Sequence, residues 1–184
     1  MKASTTVTVG LFVAAALIGC STPGRIDVDD IPDFYLNPPI SDDSIFGVGD
    51  ARMSTLSMSR TMALSRARDD VARQVEVAIT SAITDYAQAA GEAGKEQTIQ
   101  FVETVSRQIV DVTLSGLRQV EAHVGRRGTV YAMVEYPKSE LRAQAAFVFE
   151  RNEAAAFAEF KTADALAKLD LELENNPPRA GGDR

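Results

Sequence analysis

Few side chains in this sequence could do chemistry, and two of the most reactive types occur once each. Cys20 is the only cysteine and His123 the only histidine in 184 residues. A histidine-dependent hydrolase needs a nucleophile beside the imidazole and a carboxylate to orient it. His123 lies in an alternating stretch with Glu121 and Glu135 on the same expected strand face, but nothing there suggests an activated nucleophile. Zinc would be left with one imidazole and carboxylates, a poor set for that metal. Asp27, Asp29 and Asp30, and the pair Asp42-Asp43, offer oxygen ligands without the spacing of an EF-hand, so both read as solvated loops. Gly47-Val48-Gly49 invites a dinucleotide-binding reading, but Arg52 stands where the fingerprint needs its third glycine. The simpler reading is that these glycines let a helix or a neighbouring backbone approach a strand closely. Arg126-Arg127 reads as an exposed turn. The expectation is a protein that is not an enzyme, with no catalytic residues, no metal and no cofactor.

Cys20 is a different case, because of where it sits. An apolar run from Val7 to Ile18, preceded by Lys2, ends in Leu17-Ile18-Gly19-Cys20. The run is shorter than the about 20 apolar residues that span a bilayer, and it has the layout of a secretory signal segment. Its last four residues resemble the lipobox of bacterial lipoproteins. That resemblance implies S-diacylglycerol transfer to the Cys20 thiol, cleavage after Gly19 and N-acylation of the new terminus. Two or more acyl chains give stable anchoring, at ~0.8 kcal/mol per buried methylene. Ser21 follows the cysteine where an Asp would resemble an inner-membrane retention signal, so the expected address is the outer membrane, facing the periplasm.

Removing residues 1–19 would leave 165 residues, enough for one domain with a real core. Lys2 would go with them, taking the net charge from −7 to −8. An acidic chain lacks the basic footprint of a nucleic-acid binder, and it leaves membrane attachment to the lipid. With Cys20 lipidated no disulfide is available, so stability must come from packing.

These features need elements to carry them. Residues 20–30 are polar and acidic and read as a lipidated tether; residues 31–174 read as a single α+β domain. The stretch Ile31 to Pro39 combines prolines with Phe34, Tyr35 and Leu36, which predicts an extended arm laid across the domain. Ser44–Ala51 is a strand candidate. From about Leu56 to Ala90, Leu64, Ala67, Val71, Val75, Ala78, Ala82 and Tyr86 recur at helical steps. Gly91-Glu92-Ala93-Gly94 ends that helix. A second runs from about Glu96 to Thr113, with Ile99, Val102, Ile109 and Val112 expected inward. Leu117–Val124 and Thr129–Tyr136 alternate and are joined by Gly125-Arg126-Arg127-Gly128, a hairpin signature. One face carries Val120, Ala122, Val124, Val130, Ala132 and Val134; the other, mixed, carries His123, Tyr131 and Met133. A long, alanine-rich helix is expected from about Lys138 to Glu174, and residues 175–184 read as a disordered tail. The expected fold is α+β: a small antiparallel sheet, one strand plus a hairpin, packed on two or three helices.

The matching stretches are Pro32-Asp33-Phe34-Tyr35, Phe46-Gly47-Val48-Gly49-Asp50-Ala51, Ala63 to Ala72 and Val130-Tyr131-Ala132-Met133-Val134-Glu135-Tyr136-Pro137. In this order, after a lipobox, they resemble the Lpp-twenty family of bacterial outer-membrane lipoproteins, over about residues 30–175. Phe34 stands where relatives commonly carry Trp. The resemblance implies a non-enzymatic envelope lipoprotein; the family includes surface antigens and flagellar accessory lipoproteins that assemble into rings or discs. The expected partners are the membrane, through the lipid, and a second copy or another envelope protein. Tyr131 and Met133 on the mixed sheet face, with Phe157 and Phe160 on the last helix, are the candidate interaction surface. The alternative is a lipoprotein that binds an envelope ligand, peptidoglycan or a small apolar molecule, between sheet and helices.

Overall fold

A computed structural model describes residues 30–158 and 160–175. The elements run α1 (Asp33–Leu36), β1 (Ser44–Ala51), α2 (Leu56–Ala89), α3 (Glu96–Gly116), β2 (Arg118–Val124), β3 (Val130–Pro137), α4 (Lys138–Asn152), a 3-10 turn (Glu153–Ala155) and α5 (Thr162–Asn175). The three strands form one antiparallel sheet in the order β1-β3-β2. The α+β architecture is as the alternation and helical periods predict.

Helix α2 starts where Thr55 accepts a hydrogen bond from the backbone of Met58, and it runs 34 residues. Its first half lies across β1 and β3. Small residues make that contact close: Ala63, Ala67 and Val71 meet Gly47, Gly49 and Ala51. A Cβ on Gly47 would fall on the carbonyl of Ala67 and 2.6 Å from Cγ2 of Val71; one on Gly49 would fall 2.8 Å from Cβ of Arg66. The glycines are therefore a packing device, as their spacing suggested.

The second half of α2 joins α3, α4 and α5 in a helical core. Ile79, Ile83, Tyr86, Phe101, Val105, Ile109, Phe149 and Leu169 are buried there. Two faces differ from their sequence reading. On α3 the inward residues are Thr98, Phe101, Val105, Ser106, Ile109 and Thr113, while Ile99 and Val112 are exposed. The apolar stripe shares its period with the buried one but is rotated, because Phe101 is drawn into the aromatic centre. At the C-terminus, the single helix expected over 138–174 is instead two antiparallel helices. Asn152 closes α4, its side chain donating to the Val148 carbonyl at 2.7 Å and to Gln108 on α3 at 3.1 Å. The chain then turns back so that Arg142 pairs with Asp170 at 3.0 Å and Lys138 donates to the Leu173 carbonyl.

The arm before β1 also differs. Pro32 precedes a single helical turn, Asp33–Leu36, with Pro32 accepting from Tyr35 and Leu36. Proline is tolerated at a helix start, where its missing N–H has no partner to lose, so the prolines bracket the turn rather than forbid it. Asp30, placed in the tether by its composition, belongs to the fold: its carboxylate accepts from the backbone N–H of Arg126 at 2.8 and 2.9 Å.

Candidate interaction surface

Leu17, Ile18, Gly19 and Cys20 lie outside the described residues, as do the signal segment, most of the tether and residues 176–184. The four candidate surface residues, Tyr131, Met133, Phe157 and Phe160, are all buried.

Phe157 and Phe160 are 4% and 5% exposed. They sit in the turn between α4 and α5, where the chain reverses. Phe160 contacts Phe101 edge-on with ring centroids 4.8 Å apart, and Phe157 and Phe160 each lie 5.7 Å from Tyr86. Tyr86 in turn accepts from the backbone of Lys161 through its hydroxyl at 3.0 Å. They hold the helical core together and cannot be a docking surface. An uninterrupted helix would have projected them; the turn folds them inward.

Tyr131 and Met133 face away from α2, as their register predicts, but are only 8% and 7% exposed. The arm covers Tyr131: Tyr35 packs edge-on against its ring at 5.0 Å and donates its hydroxyl to Asp50 at 2.8 Å. Burial, and then that bond to the Asp50 carboxylate, push the Tyr35 phenol up to about 12. Tyr131 is raised in the same sense, by burial and then by the charges of Asp50 and Asp30. The sheet's mixed face is thus closed at this end by the arm.

His123 lies on the exposed strand β2 with its ring 6.3 Å from Tyr131. Glu135 is four residues further along β3, about 13 Å at strand spacing. It accepts from Ser44 at 2.7 Å and pairs with Arg118 at 3.4 Å. The structure does not bring the two together. Among the described residues no group of three or more His, Cys, Asp or Glu could hold a metal ion. Among the same residues no helix is long and apolar enough to cross a membrane.

The informative contrast is between the two sheet edges. The outer edge of β1 is sealed by one ridge of α2. Arg66 donates to the Asp50 carbonyl at 2.6 Å, Asp70 accepts from the Val48 N–H at 3.1 Å, and Gln74 donates to the Phe46 carbonyl at 2.9 Å. Four residues of helix rise about 6 Å and two of strand about 6.6 Å, so side chains at i, i+4 and i+8 reach backbone groups at j, j−2 and j−4. The edge-sealing role of Arg66, Asp70 and Gln74 has no signal in the sequence without the strand beside it.

Among the described residues the edge of β2 has no such cover. All seven of its residues are exposed, including Val120 and Val124 at 44% and 53%. Its hydrogen bonds to β3 are broken in register by one extra residue, Val120, between Gln119 and Glu121. From helix α2, Arg60 donates to Gln119 at 3.4 Å. An uncovered strand edge offers a row of unpaired donors and acceptors to another chain.

No protein-family model, curated protein or solved structure matches this chain.

Proposed function

We propose that this chain is a lipid-anchored lipoprotein of the outer membrane, without enzymatic activity, that works as a structural module by associating with further copies of itself in the cell envelope. The anchor is carried by one observation, the tetrapeptide Leu17-Ile18-Gly19-Cys20 closing a short apolar run. Ten residues after Cys20 the chain is tied to the domain, where Asp30 grips the tip of the β2–β3 hairpin. That interval spans at most ~33–36 Å when fully extended, so the tether would hold the hairpin tip within that distance of the bilayer surface. The open edge of β2 supports the associating role, since such edges pair readily.

Incorporation of an alkyne-tagged fatty acid in cells, followed by membrane fractionation, tests the anchor. The native chain should carry the label and sediment with the outer membrane, and Cys20→Ser should lose both while its domain still folds. Equal labelling and retention of the two proteins would overturn the assignment. Light scattering on the detergent-extracted chain tests association; a strict monomer at high concentration would count against it.

A second reading, a ligand-binding lipoprotein, is favoured by a shallow groove of about 280 Å³ between α2 and α3, lined by Thr80, Thr84, Ala87, Ile99 and Val102. Its lining suits a small apolar ligand. A ligand held there raises the melting temperature with concentration, and Val102→Asp should abolish that rise.

A further inference from the structure

We infer that the free edge of β2 is where one copy of this chain joins a second, the two β2 strands running antiparallel about a twofold axis at Ala122 to form a continuous six-stranded sheet. This rests on the self-association proposed above and specifies its surface.

The two sheet edges differ in what covers them. β1 is closed by Arg66, Asp70 and Gln74, so a further strand cannot add there without displacing three side-chain hydrogen bonds. Among the described residues β2 is open along its length. A twofold interface must be self-complementary, residue i meeting j and j meeting i. Pairing about Ala122 satisfies this with the residues present. Val120 of each copy meets Val124 of the other, and Ala122 meets Ala122. Glu121 meets His123, twice.

The faces agree as well as the order. Ala122 and Val124 pair with Ala132 and Val130, whose side chains are buried beneath α2, so they lie on the helix-covered face. Gln119, beside the extra residue Val120, reaches Arg60 on the same side. Glu121 and His123 oppose Met133 and Tyr131 on the other face. An axis perpendicular to the sheet keeps each face with its like. The exposed valines of both copies then close on one side, and carboxylate meets imidazole N–H on the other. An imidazole offers at least one N–H donor in either protonation state. Moving the axis by one residue loses this match, setting Glu121 against Glu121 or His123 against His123. The extra residue falls at the end of the pairing, leaving Glu121 to Val124 regular.

Crosslinking and charge exchange in the full chain test this arrangement. Facing residues in antiparallel strands lie about 4.5–5.5 Å apart, within the about 4.4–6.8 Å that a disulfide spans. Mild oxidation of cells producing Ala122→Cys should yield a dimer joined through position 122 in both copies, identified by peptide mass spectrometry. Glu150→Cys on α4 should not. Absence of the 122–122 link overturns the proposal. So does a link within one chain between positions 22 and 122 in the Thr22→Cys, Ala122→Cys variant, which would put the chain's own N-terminal segment on this edge.

In sedimentation of the detergent-extracted chain, Glu121→Lys and His123→Glu should each weaken association by about tenfold, and the double variant should restore it, because the opposed pair is only reversed. Both residues are exposed, so folding should survive each change. If the parent associates and the single variants match it, the self-association reading stands and this edge is wrong. If the parent is a monomer, both fail.

Discussion

The carboxylate of Asp70, buried on α2, accepts a hydrogen bond from the backbone N–H of Val48 at 3.1 Å. That N–H points out of the sheet from its edge strand, where among the described residues no further strand pairs with it. Arg73 and Gln74 both donate to the same carboxylate, at 3.3 Å each, and hold it in place. A helix side chain thus stands in for a neighbouring strand. The sheet is left with one usable edge, and that asymmetry gives the molecule a direction.

Asp70→Ala removes the acceptor and leaves a buried N–H unpaired, which costs about 1–3 kcal/mol. Chemical denaturation should show a loss of that size. Hydrogen exchange should localise it, with the Val48 amide losing protection. Asp70→Asn, which keeps an acceptor, should fall between the two.

Gly47→Ala drives a methyl group into the Ala67 carbonyl and Cγ2 of Val71. Overpacking of this kind costs about 1–3 kcal/mol. The melting temperature should drop accordingly. Pairing it with Val71→Ala should recover part of the loss, since that change removes one of the two obstacles.

Phe160→Ala empties the centre of the aromatic cluster and should cost about 3–5 kcal/mol, as large-to-small changes at buried aromatics do. The loss should appear in the unfolding midpoint. Self-association, measured below the melting transition, should be unchanged, because the side chain is enclosed within one copy.

Tyr35 gives the fold an alkaline limit. Its folded-state value of about 12 stands above the ordinary 10.0, so the protonated phenol is favoured by folding. The stabilisation is therefore fully present below pH 10 and is lost as pH rises from there through about 12. The difference in unfolding free energy between the native chain and Tyr35→Phe should be flat at neutral pH and shrink across that window. A difference that grew with pH would contradict the hydrogen bond to Asp50.

Several parts of the fold could be read directly from residue order. The stripe from Ala67 to Tyr86 names the buried face of α2, and the glycines at 47 and 49 announce a close approach whose partner proved to be Ala63 and Ala67. The hairpin strands pair as their alternation requires, Ala122 with Ala132 and Val124 with Val130. The candidate surface could not be read this way. Tyr131, Met133, Phe157 and Phe160 are apolar residues on faces to which the sequence assigns no cover; the arm closes over Tyr131, and the turn after α4 folds Phe157 and Phe160 inward.

The sequence by itself therefore determined the α+β class, the bounds of α2, the hairpin and the tetrapeptide from which the anchor is proposed. Each depends on neighbours within a few residues, where period and turn chemistry act. Only the tertiary structure decided that the last helix breaks after Asn152, that α3 turns Phe101 inward rather than Ile99, and that one sheet edge is closed while the other is open. Periodicity says which residues share a face. It does not say what lies opposite that face, and burial is settled by contacts between residues far apart in the chain.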